Sequence, residues 1–412
     1  MNTNIFIAKT LWKKQTGKKG LTGGSSLIAG ISVAVSIMVM FLSIVISDGF
    51  KKEIKDKASG FSGEILLHSP GVDITTSIYP VSATPSFLDS LKSMGSVKAV
   101  QPYVYRSAII KKEDAIQGVL IKGVDSTFDW SFFGGALHEG RLPCITTNEG
   151  EPEILMSKRL SEMLGFAVGD GILVYFVDNS VKVRRFLLTG IYNAQLEDID
   201  KTLLLTDAGS LQKVNGWSKD DVSGLEIRLW NGNEIRKSAL EIERLTLNAP
   251  QDESYFVTSV DELFPHLFDW LKLLDFNVLI IMLLMISVAG FNMVSGLLIL
   301  LFEKISMIGL LKALGMRDTS IHKIFLTRAF YLVISGMAVG NLLGFVLAYI
   351  QFQFKTIPLD PVNYFVAYVP VYFNWTKLIL LNVISVLMIT LLLMIPSFFI
   401  SRVSPEKTLR VK

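Results

Sequence analysis

Four long apolar runs, each free of charged residues, constrain this chain more than any other feature of its sequence. They cover residues 27–47, 276–302, 329–354 and 378–401. A helix needs about 20 predominantly apolar residues to cross the roughly 30 Å hydrocarbon core of a bilayer. We therefore predict four transmembrane helices, with the third beginning at residue 326. Four buried helices of a soluble protein are the alternative, and uncharged runs of this length disfavour it.

The first run could instead be a cleaved signal peptide. It is longer than the 7–15 apolar residues that are typical of a signal core, and no A-x-A cleavage pattern follows it. The sequence after it continues as Ser47-Asp48-Gly49-Phe50. We interpret the run as an uncleaved span.

The low charge content agrees with a membrane protein. Charged residues make up 19% of the 412 residues, whereas about 25% is usual for soluble chains. The net charge of +3 is too small to indicate a surface for nucleic-acid phosphates, so nucleic acid is not expected as a partner.

Clusters of lysine and arginine predict the topology. They occur before the first span, in the loop at 303–325 and in the tail at 402–412. The positive-inside rule places these three segments in the cytoplasm. Residues 1–26 combine lysines with aromatic and aliphatic residues, which predicts an interfacial helix on membrane lipids. The domain at 48–275 and the loop at 355–377 then lie on the opposite side.

The segment at 48–275 has the size of a domain and a mixed α+β pattern. Ser157 and Asp207 are plausible helix N-caps, Pro85 fits a first helical position, and Gly165 fits a helix stop. The predicted strands and helices are 64–68, 97–111, 119–124, 172–177, 183–191, 202–205 and 225–229, and 85–94, 157–164, 207–214 and 234–245.

Patterns of catalytic, metal-binding and nucleotide-binding residues are missing from the sequence. The four histidines form no H-E-x-x-H pair, and no G-x-S-x-G elbow or Walker A sequence occurs. The single cysteine, Cys144, excludes an intrachain disulfide, and we expect a partly buried, inert thiol. We therefore predict no enzyme activity, no catalytic or metal-binding residue, and no cofactor bound by this chain.

The loop after the second run predicts a short apolar helix over residues 303–316. Ile308, Leu311 and Leu314 could share one face, and Gly315 could end the helix. An apolar helix exposed to the cytoplasm should pack on a partner protein or lie on the membrane. The residues themselves leave both readings open.

Several sequence blocks resemble the FtsX/MacB-type ABC transporter permeases, and among them the lipoprotein-releasing permeases. The most specific block runs from Phe291-Asn292-Met293-Val294-Ser295 through Glu303-Lys304 to Leu311-Lys312-Ala313-Leu314-Gly315. Segments 164–170, 189–192 and 404–410 are also similar to family patterns, and Ser47-Asp48-Gly49-Phe50 resembles the family's S-x-x-x-G-F exit from the first span, with the serine closer to the glycine. Residues 305–307 depart from the family, where more basic residues are usual.

This resemblance implies a four-helix membrane protein with a MacB-like α+β periplasmic domain between helices 1 and 2. It implies an inner-membrane permease that works with two copies of a cytosolic ATPase, which uses ATP, and with a second permease chain, identical or different. The substrate would be a lipoprotein, released towards the outer membrane without a pore, and a periplasmic lipoprotein carrier is a further partner to consider.

The resemblance also implies residue roles. Contacts that couple the permease to the ATPase would come from Glu303, Lys304, Ile308, Leu311, Lys312, Leu314 and Gly315. Lipoprotein contacts would come from Met40, Phe41, Phe50, Phe276 and Ile280.

Three other functions remain open from the sequence. A MacB-like exporter or an FtsX-like regulator of periplasmic proteins would share the architecture. A ligand-sensing membrane receptor belongs to another class and would need no ATPase. A membrane hydrolase is disfavoured, because no nucleophile–base or metal-ligand spacing is visible.

Overall fold

The structure is a computed structural model that describes residues 21–69, 79–113, 115–145, 151–177, 180–232, 234–247 and 255–397. Side chains at 21–26, 197–198 and 395–397 are not described. The tail predicted at 402–412 lies outside these ranges. So does the interfacial helix predicted at 1–26, except for 21–26, where the first helix begins.

Helices and strands are numbered here separately in chain order. The helices are α1 (Leu21–Ser62), α2 (Pro85–Lys92), α3 (Ser131–Ala136), α4 (Lys158–Leu164), α5 (Glu197–Asp200), α6 (Ala208–Asn215), α7 (Ile235–Leu247), α8 (Val260–Leu263), α9 (Pro265–Glu303), α10 (Ile305–Ala313), α11 (Asp318–Phe354), α12 (Pro361–Tyr364) and α13 (Trp375–Ser397). The strands are β1 (Ile65–His68), β2 (Val81–Ser82), β3 (Val97–Lys112), β4 (Ala115–Val124), β5 (Leu137–Gly140), β6 (Glu153–Ser157), β7 (Gly171–Val177), β8 (Val181–Tyr192), β9 (Leu203–Asp207), β10 (Asp221–Val222), β11 (Gly224–Leu229) and β12 (Phe256–Ser259).

The chain divides into two compact units. The helical unit contains the described residues up to Lys52, Trp270–Pro358 and the described residues from Tyr368 onwards. The α/β unit contains Glu53–Asp269 and Leu359–Ala367. The domain lies in sequence between the first and second long helices, as predicted.

Four described helices, α1, α9, α11 and α13, are long and apolar enough to cross a membrane. They confirm the four predicted transmembrane helices. α1 continues to Ser62, well beyond the apolar run that ends at residue 47. The extension contains four lysines, which favour a helix, and no proline, which would end one.

A row of glycines on α11 lets α1 approach closely within the helical unit. A Cβ atom at Gly336 would lie 2.9 Å from the carbonyl oxygen of Gly30, and one at Gly340 would overlap the carbonyl oxygen of Ala34. At Gly344 the added atom would lie 2.9 Å from the ring of Phe41. Small residues at a four-residue spacing are a common basis for close helix packing in membranes.

Three asparagines of the helical unit hydrogen-bond to side chains of other helices. Asn341 of α11 and Asn382 of α13 exchange two hydrogen bonds, of 2.6 and 3.2 Å. Asn292 of α9 donates to the hydroxyl of Ser32 in α1, at 2.5 Å. These three asparagines therefore link helices of the unit through hydrogen bonds.

The α/β unit is built on a ten-stranded mixed sheet in the order β12-β1-β11-β3-β4-β9-β6-β8-β5. β7 pairs with both β3 and β8. The pairing therefore runs from β3 through β4, β9, β6, β8 and β7 back to β3 as a closed circuit of six strands. Closure leaves these strands without a free edge along the circuit, which protects them from pairing with other chains.

Local sequence signals start and stop several helices as predicted. The Ser157 hydroxyl accepts from the Leu160 N–H at 3.0 Å, and the Asp207 carboxylate accepts from the Ser210 N–H at 3.0 Å. Gly165 has a φ of +69° at the end of α4, a conformation that favours glycine. These N-caps determine where α4 begins after β6 and where α6 begins after β9.

The expectation of a partly buried thiol at Cys144 is wrong, because this residue is exposed. Its backbone N–H donates to the Glu153 carboxylate at 2.8 Å, and Arg141 pairs with the same carboxylate. These polar contacts hold the segment at the surface of the α/β unit, where the thiol is exposed.

We predict that Gly340→Ile lowers the stability of the helical unit by about 2 kcal/mol or more, because the added side chain forces α1 away from α11. The measurement is the thermal midpoint of the purified chain in detergent. Val339→Ile is the control, since Val339 is 50% exposed on the same helix. Equal midpoints for the two variants would contradict the glycine packing.

Asp200 provides a pH-dependent prediction for the α/β unit. Burial raises the pKa of its carboxyl from 3.8 to about 6, against backbone N–H donors at Gln195, Leu196 and Ala194. The folded state therefore holds this proton more tightly than the unfolded state, so the contribution of this group to stability falls between about pH 4 and 6, by up to about 3 kcal/mol. We expect Asp200→Asn to flatten the decline in thermal midpoint over that range. An unchanged decline would contradict the assignment.

Candidate functional site

The connector between the second and third spans is the segment from Glu303 to Asp318. α9 ends at Glu303, and Lys304 breaks the helix with φ −100° and ψ 15°. α10 then begins at Ile305, and the Ile308 N–H donates to the Lys304 carbonyl at 3.0 Å. The helix predicted from residue 303 is therefore a separate, shorter helix set after a break.

The inner side of α10 packs against the two spans that it joins. Ile308 is fully buried, in a cluster with Leu301 of α9 and with Ile321 and Phe325 of α11. Leu311 is half-buried against the same cluster. Apolar packing thus fixes the connector to the ends of its neighbouring helices.

Gly315 closes α10 in a Schellman arrangement. Its N–H donates to the Lys312 carbonyl, and the Met316 N–H donates to the Leu311 carbonyl, both at 3.0 Å. Gly315 has a φ of +87°, which a residue with a side chain adopts only at a cost. Met316 and Leu311 both pack on the cluster of Ile308, which supplies the apolar contact typical of this motif.

An ion pair ties the end of α10 to the start of α11. The Lys312 ammonium lies 2.9 Å from the Asp318 carboxylate, and the lysine side chain is only 10% exposed. Glu303 and Lys304 are neighbours, with 3.3 Å between their charged groups, and both are about one-third exposed. Lys312 therefore supports the connector, whereas Glu303 and Lys304 remain accessible.

The outer side of α10 presents an apolar ridge. Leu310 is 52% exposed and Leu314 is 76% exposed, and Ser306 and Ala313 are exposed beside them. Residues 306, 310 and 314 are four apart and so lie along one side of the helix. The residues predicted for coupling are thus divided: Leu314, Glu303 and Lys304 are accessible, while Ile308, Leu311 and Lys312 hold the connector in place.

The lipoprotein-contact residues predicted on α1 lie inside the protein. Met40 and Phe41 are buried in the core of the helical unit. Phe50 is buried and meets the Trp270 ring edge-on, with 5.6 Å between ring centroids. These three side chains contact neighbouring helices of the same chain.

Those predicted on α9 are exposed. Phe276 is 60% exposed and Ile280 is 44% exposed, one helical turn apart. Leu279, Leu283 and Leu284 are exposed along the same stretch. This face of the second span is open to lipid, to an acyl chain or to another helix.

Two ion pairs at the end of the first span escaped the sequence analysis. Lys377 of α13 contacts the buried carboxylate of Asp48 at 2.5 Å, and Lys51 pairs with Asp275 of α9. The Tyr372 N–H donates to the Val45 carbonyl at 3.2 Å. Each of these charged residues lies just beyond an apolar run, and this position could have indicated a role at the end of a span. The sequence alone does not identify which charged residues pair with each other.

No group of three or more metal-binding side chains occurs within the part of the chain that the structure describes.

Two family models together match most of the chain. The MacB-like periplasmic core domain matches residues 26–245, more than half of the chain, and the FtsX-like permease C-terminal model matches residues 279–405. The chain belongs to the FtsX/MacB family of ABC transporter permeases. Permeases of this family work with a cytosolic ABC ATPase. The four apolar helices and the family match together indicate an inner-membrane protein with a periplasmic domain.

Curated relatives of this FtsX/MacB-type permease include three transporter proteins. The chain is 22% identical over 95% of both chains to the lipoprotein-releasing system transmembrane protein LolC of Xylella fastidiosa. It is 21% identical over 99% of both chains to the corresponding protein LolE of Haemophilus influenzae. It is also 21% identical to the macrolide export ATP-binding/permease protein MacB of Nitrobacter winogradskyi, over 78% of this chain and 49% of that protein.

We predict that aspartate destabilises the protein on the buried side of the connector and changes its stability little on the exposed side. Ile308→Asp places a charge in a buried apolar cluster and should destabilise the helical unit by about 3 kcal/mol or more. Leu314→Asp changes an exposed side chain and should stay within about 0.5 kcal/mol. The thermal midpoint in detergent measures both effects. A loss of stability in Leu314→Asp as large as in Ile308→Asp would show that Leu314 is not an outward residue.

Proposed function

We propose that this chain is the permease subunit of an ABC transporter that releases lipoproteins from the inner membrane towards the outer membrane. Similarity to LolC and LolE chains along nearly the whole of both lengths is the observation that carries this proposal. The energy comes from ATP used by the partner ATPase, and this chain binds no cofactor of its own.

The ridge of Leu310 and Leu314 is the proposed docking point for the ATPase. It is apolar and exposed, and the charged residues Glu303 and Lys304 are accessible at the other end of the connector, which suits a partner with an apolar groove and polar groups near it. Ile308, Leu311, Lys312 and Gly315 couple indirectly, because they fix α10 to the ends of α9 and α11. Movement of a docked ATPase would therefore displace both spans together.

The proposed transport route does not pass through a pore in this chain. Asn341 and Asn382, two polar side chains of the spans, are paired with each other. Paired groups of this kind hold helices together and do not line an aqueous path. The helical unit would instead transmit motion to the periplasmic domain, which acts on substrate held at the membrane.

Acyl chains of the lipoprotein are proposed to contact the face of Phe276 and Ile280 on the second span. Both side chains are exposed and apolar, as contact with lipid chains requires. Met40, Phe41 and Phe50 contribute by packing, since they support the first span from inside. A second permease chain, identical or different, would complete the transporter.

The proposed topology follows from charge. The termini and the connector carry the basic clusters, and this supports a cytoplasmic location for them, on the side of the ATPase. Residues 48–275 then face the periplasm, where a soluble lipoprotein carrier could receive the substrate.

A MacB-like exporter of soluble substrates is the second candidate. The match to MacB over 78% of this chain favours it. The two functions differ in where the substrate begins, because an exporter takes its substrate from the periplasm and a releasing permease takes it from the membrane.

We predict that depletion of this chain in its source bacterium leaves lipoproteins in the inner membrane, and that Leu314→Asp fails to restore their release because the charged ridge no longer binds the ATPase. Separation of inner and outer membranes by density, with detection of lipoproteins in each, measures release. Co-purification of the ATPase with the variant measures docking.

Leu247→Asp is the matched control for this experiment. Leu247 is 78% exposed, close to the 76% of Leu314, but lies on α7 of the α/β unit. It should restore release and keep ATPase binding. Normal lipoprotein sorting during depletion would contradict the releasing function and favour the exporter.

A further inference from the structure

The last turn of α1 is held in the α/β unit by charged donors. The final carbonyl groups of a helix have no partner within the helix, and they form the negative end of its dipole. Here the Arg228 guanidinium of β11 donates to the Ser59 carbonyl at 2.6 Å and to the Gly60 carbonyl at 3.2 Å. The Lys122 ammonium of β4 donates to the Phe61 carbonyl at 2.5 Å.

Glu226 holds the lysine in position. Its carboxylate lies 2.5 Å from the Lys122 ammonium, and both side chains are fully buried. Burial lowers the pKa of Lys122, and the charge of Glu226 opposes that shift. A buried ion pair adds little net stability over an apolar pair of similar size. What an apolar pair could not provide is a fixed donor for the end of α1.

The same turn is enclosed by apolar contacts. Phe61 is buried and meets the rings of Phe132 and Phe133, with ring centroids 5.0 and 5.6 Å away. Gly60 lies directly under the Phe132 ring and has no room for a Cβ atom. Gly63 then turns the chain into β1 with a φ of +72°. The helix therefore enters the sheet with its end fixed on several sides.

We propose that Arg228, Lys122 and Glu226 are positioning residues that clamp the end of the first-span helix to the sheet, so that helix and sheet move as one body. The purpose of the clamp rests on the proposed function, since the ATPase would supply the displacement of α1 that the clamp passes on. These residues touch neither substrate nor nucleotide. They act by converting a shift of α1 into a shift of the periplasmic domain.

The first test measures the clamp in the full chain alone. One spin label goes on the native Cys144, whose segment is fixed through Glu153, and a second on Asp56→Cys, an exposed position of α1 in the same unit. Pulsed electron paramagnetic resonance gives the distribution of distances between the two spin labels. The clamp is weakened by Arg228→Lys, which loses the two-carbonyl fork, and separately by Lys122→Met with Glu226→Met, which leaves no unpaired charge.

We expect the distance distribution to widen at least about twofold in both clamp variants, as local opening replaces a single packed position. Arg185→Lys is the control, because Arg185 is an arginine of the same sheet whose side chain is 61% exposed. It should leave the distribution narrow. A narrow distribution in both clamp variants overturns the proposal, and a change in the folding midpoint alone would not support it.

The second test measures coupling in the reconstituted transporter. ATP hydrolysed per lipoprotein released should rise at least about fivefold in the clamp variants, while the ATPase rate stays near that of the wild type, because the motor is intact and its motion is lost at the helix end. An unchanged ratio overturns the role of the clamp. If the wild-type transporter releases no lipoprotein, the proposed function fails, and the label distances still decide whether the clamp exists.

Discussion

The close approach of α1 to the glycine row of α11 is the interaction on which the helical unit depends. Half of the most apolar stretch of α1 is buried, against 17% for α9 and 28% each for α11 and α13. The other spans reach α1 through Gly340, Asn292 and Lys377. Lipid gives no hydrophobic advantage to helix association, so packing and hydrogen bonds must hold the spans together. A bulky residue at the glycine row would therefore disturb more than one pair of helices.

α1 is longer than the apolar run that predicts the first span. It continues without a break to Ser62, so one helix contributes residues to both units. The charged part of the helix follows the apolar part with no proline between them, and proline is the residue that most strongly ends a helix.

The apolar residues of the connector have different roles, which the structure separates and the sequence does not. Sequence places Ile308, Leu311 and Leu314 in one apolar group, and their spacing allows all three to face a partner. In the structure Ile308 is buried and Leu314 is exposed, because the ends of α9 and α11 cover one side of α10. Which side is covered depends on the angle at Lys304, and no local sequence signal sets that angle. The same reason applies to Met40 and Phe41, which are apolar residues inside a span whose orientation is set by its neighbours.

In the α/β unit the sequence predicted local features, such as helix ends, better than it predicted pairing between distant strands. Ser157, Asp207 and Gly165 predicted the ends of helices, since caps depend on one or two backbone groups nearby. β2, β5, β6, β10 and β12 were missed, because short strands carry little periodic signal. The closed circuit through β7 was also invisible, since it rests on pairing between strands far apart in sequence.

The sequence by itself determined four spans, the domain between the first two, and the family, because apolar length and motif order are properties of the chain read in one dimension. Only the tertiary structure decided which face of each span is buried, that Cys144 is exposed, and that Lys122, Glu226 and Arg228 meet at the end of α1. Those outcomes depend on which segments pack together. A buried lysine and a surface lysine look alike in a sequence, and the difference arises when the carbonyl of Phe61 and the carboxylate of Glu226 come within hydrogen-bonding distance of the ammonium.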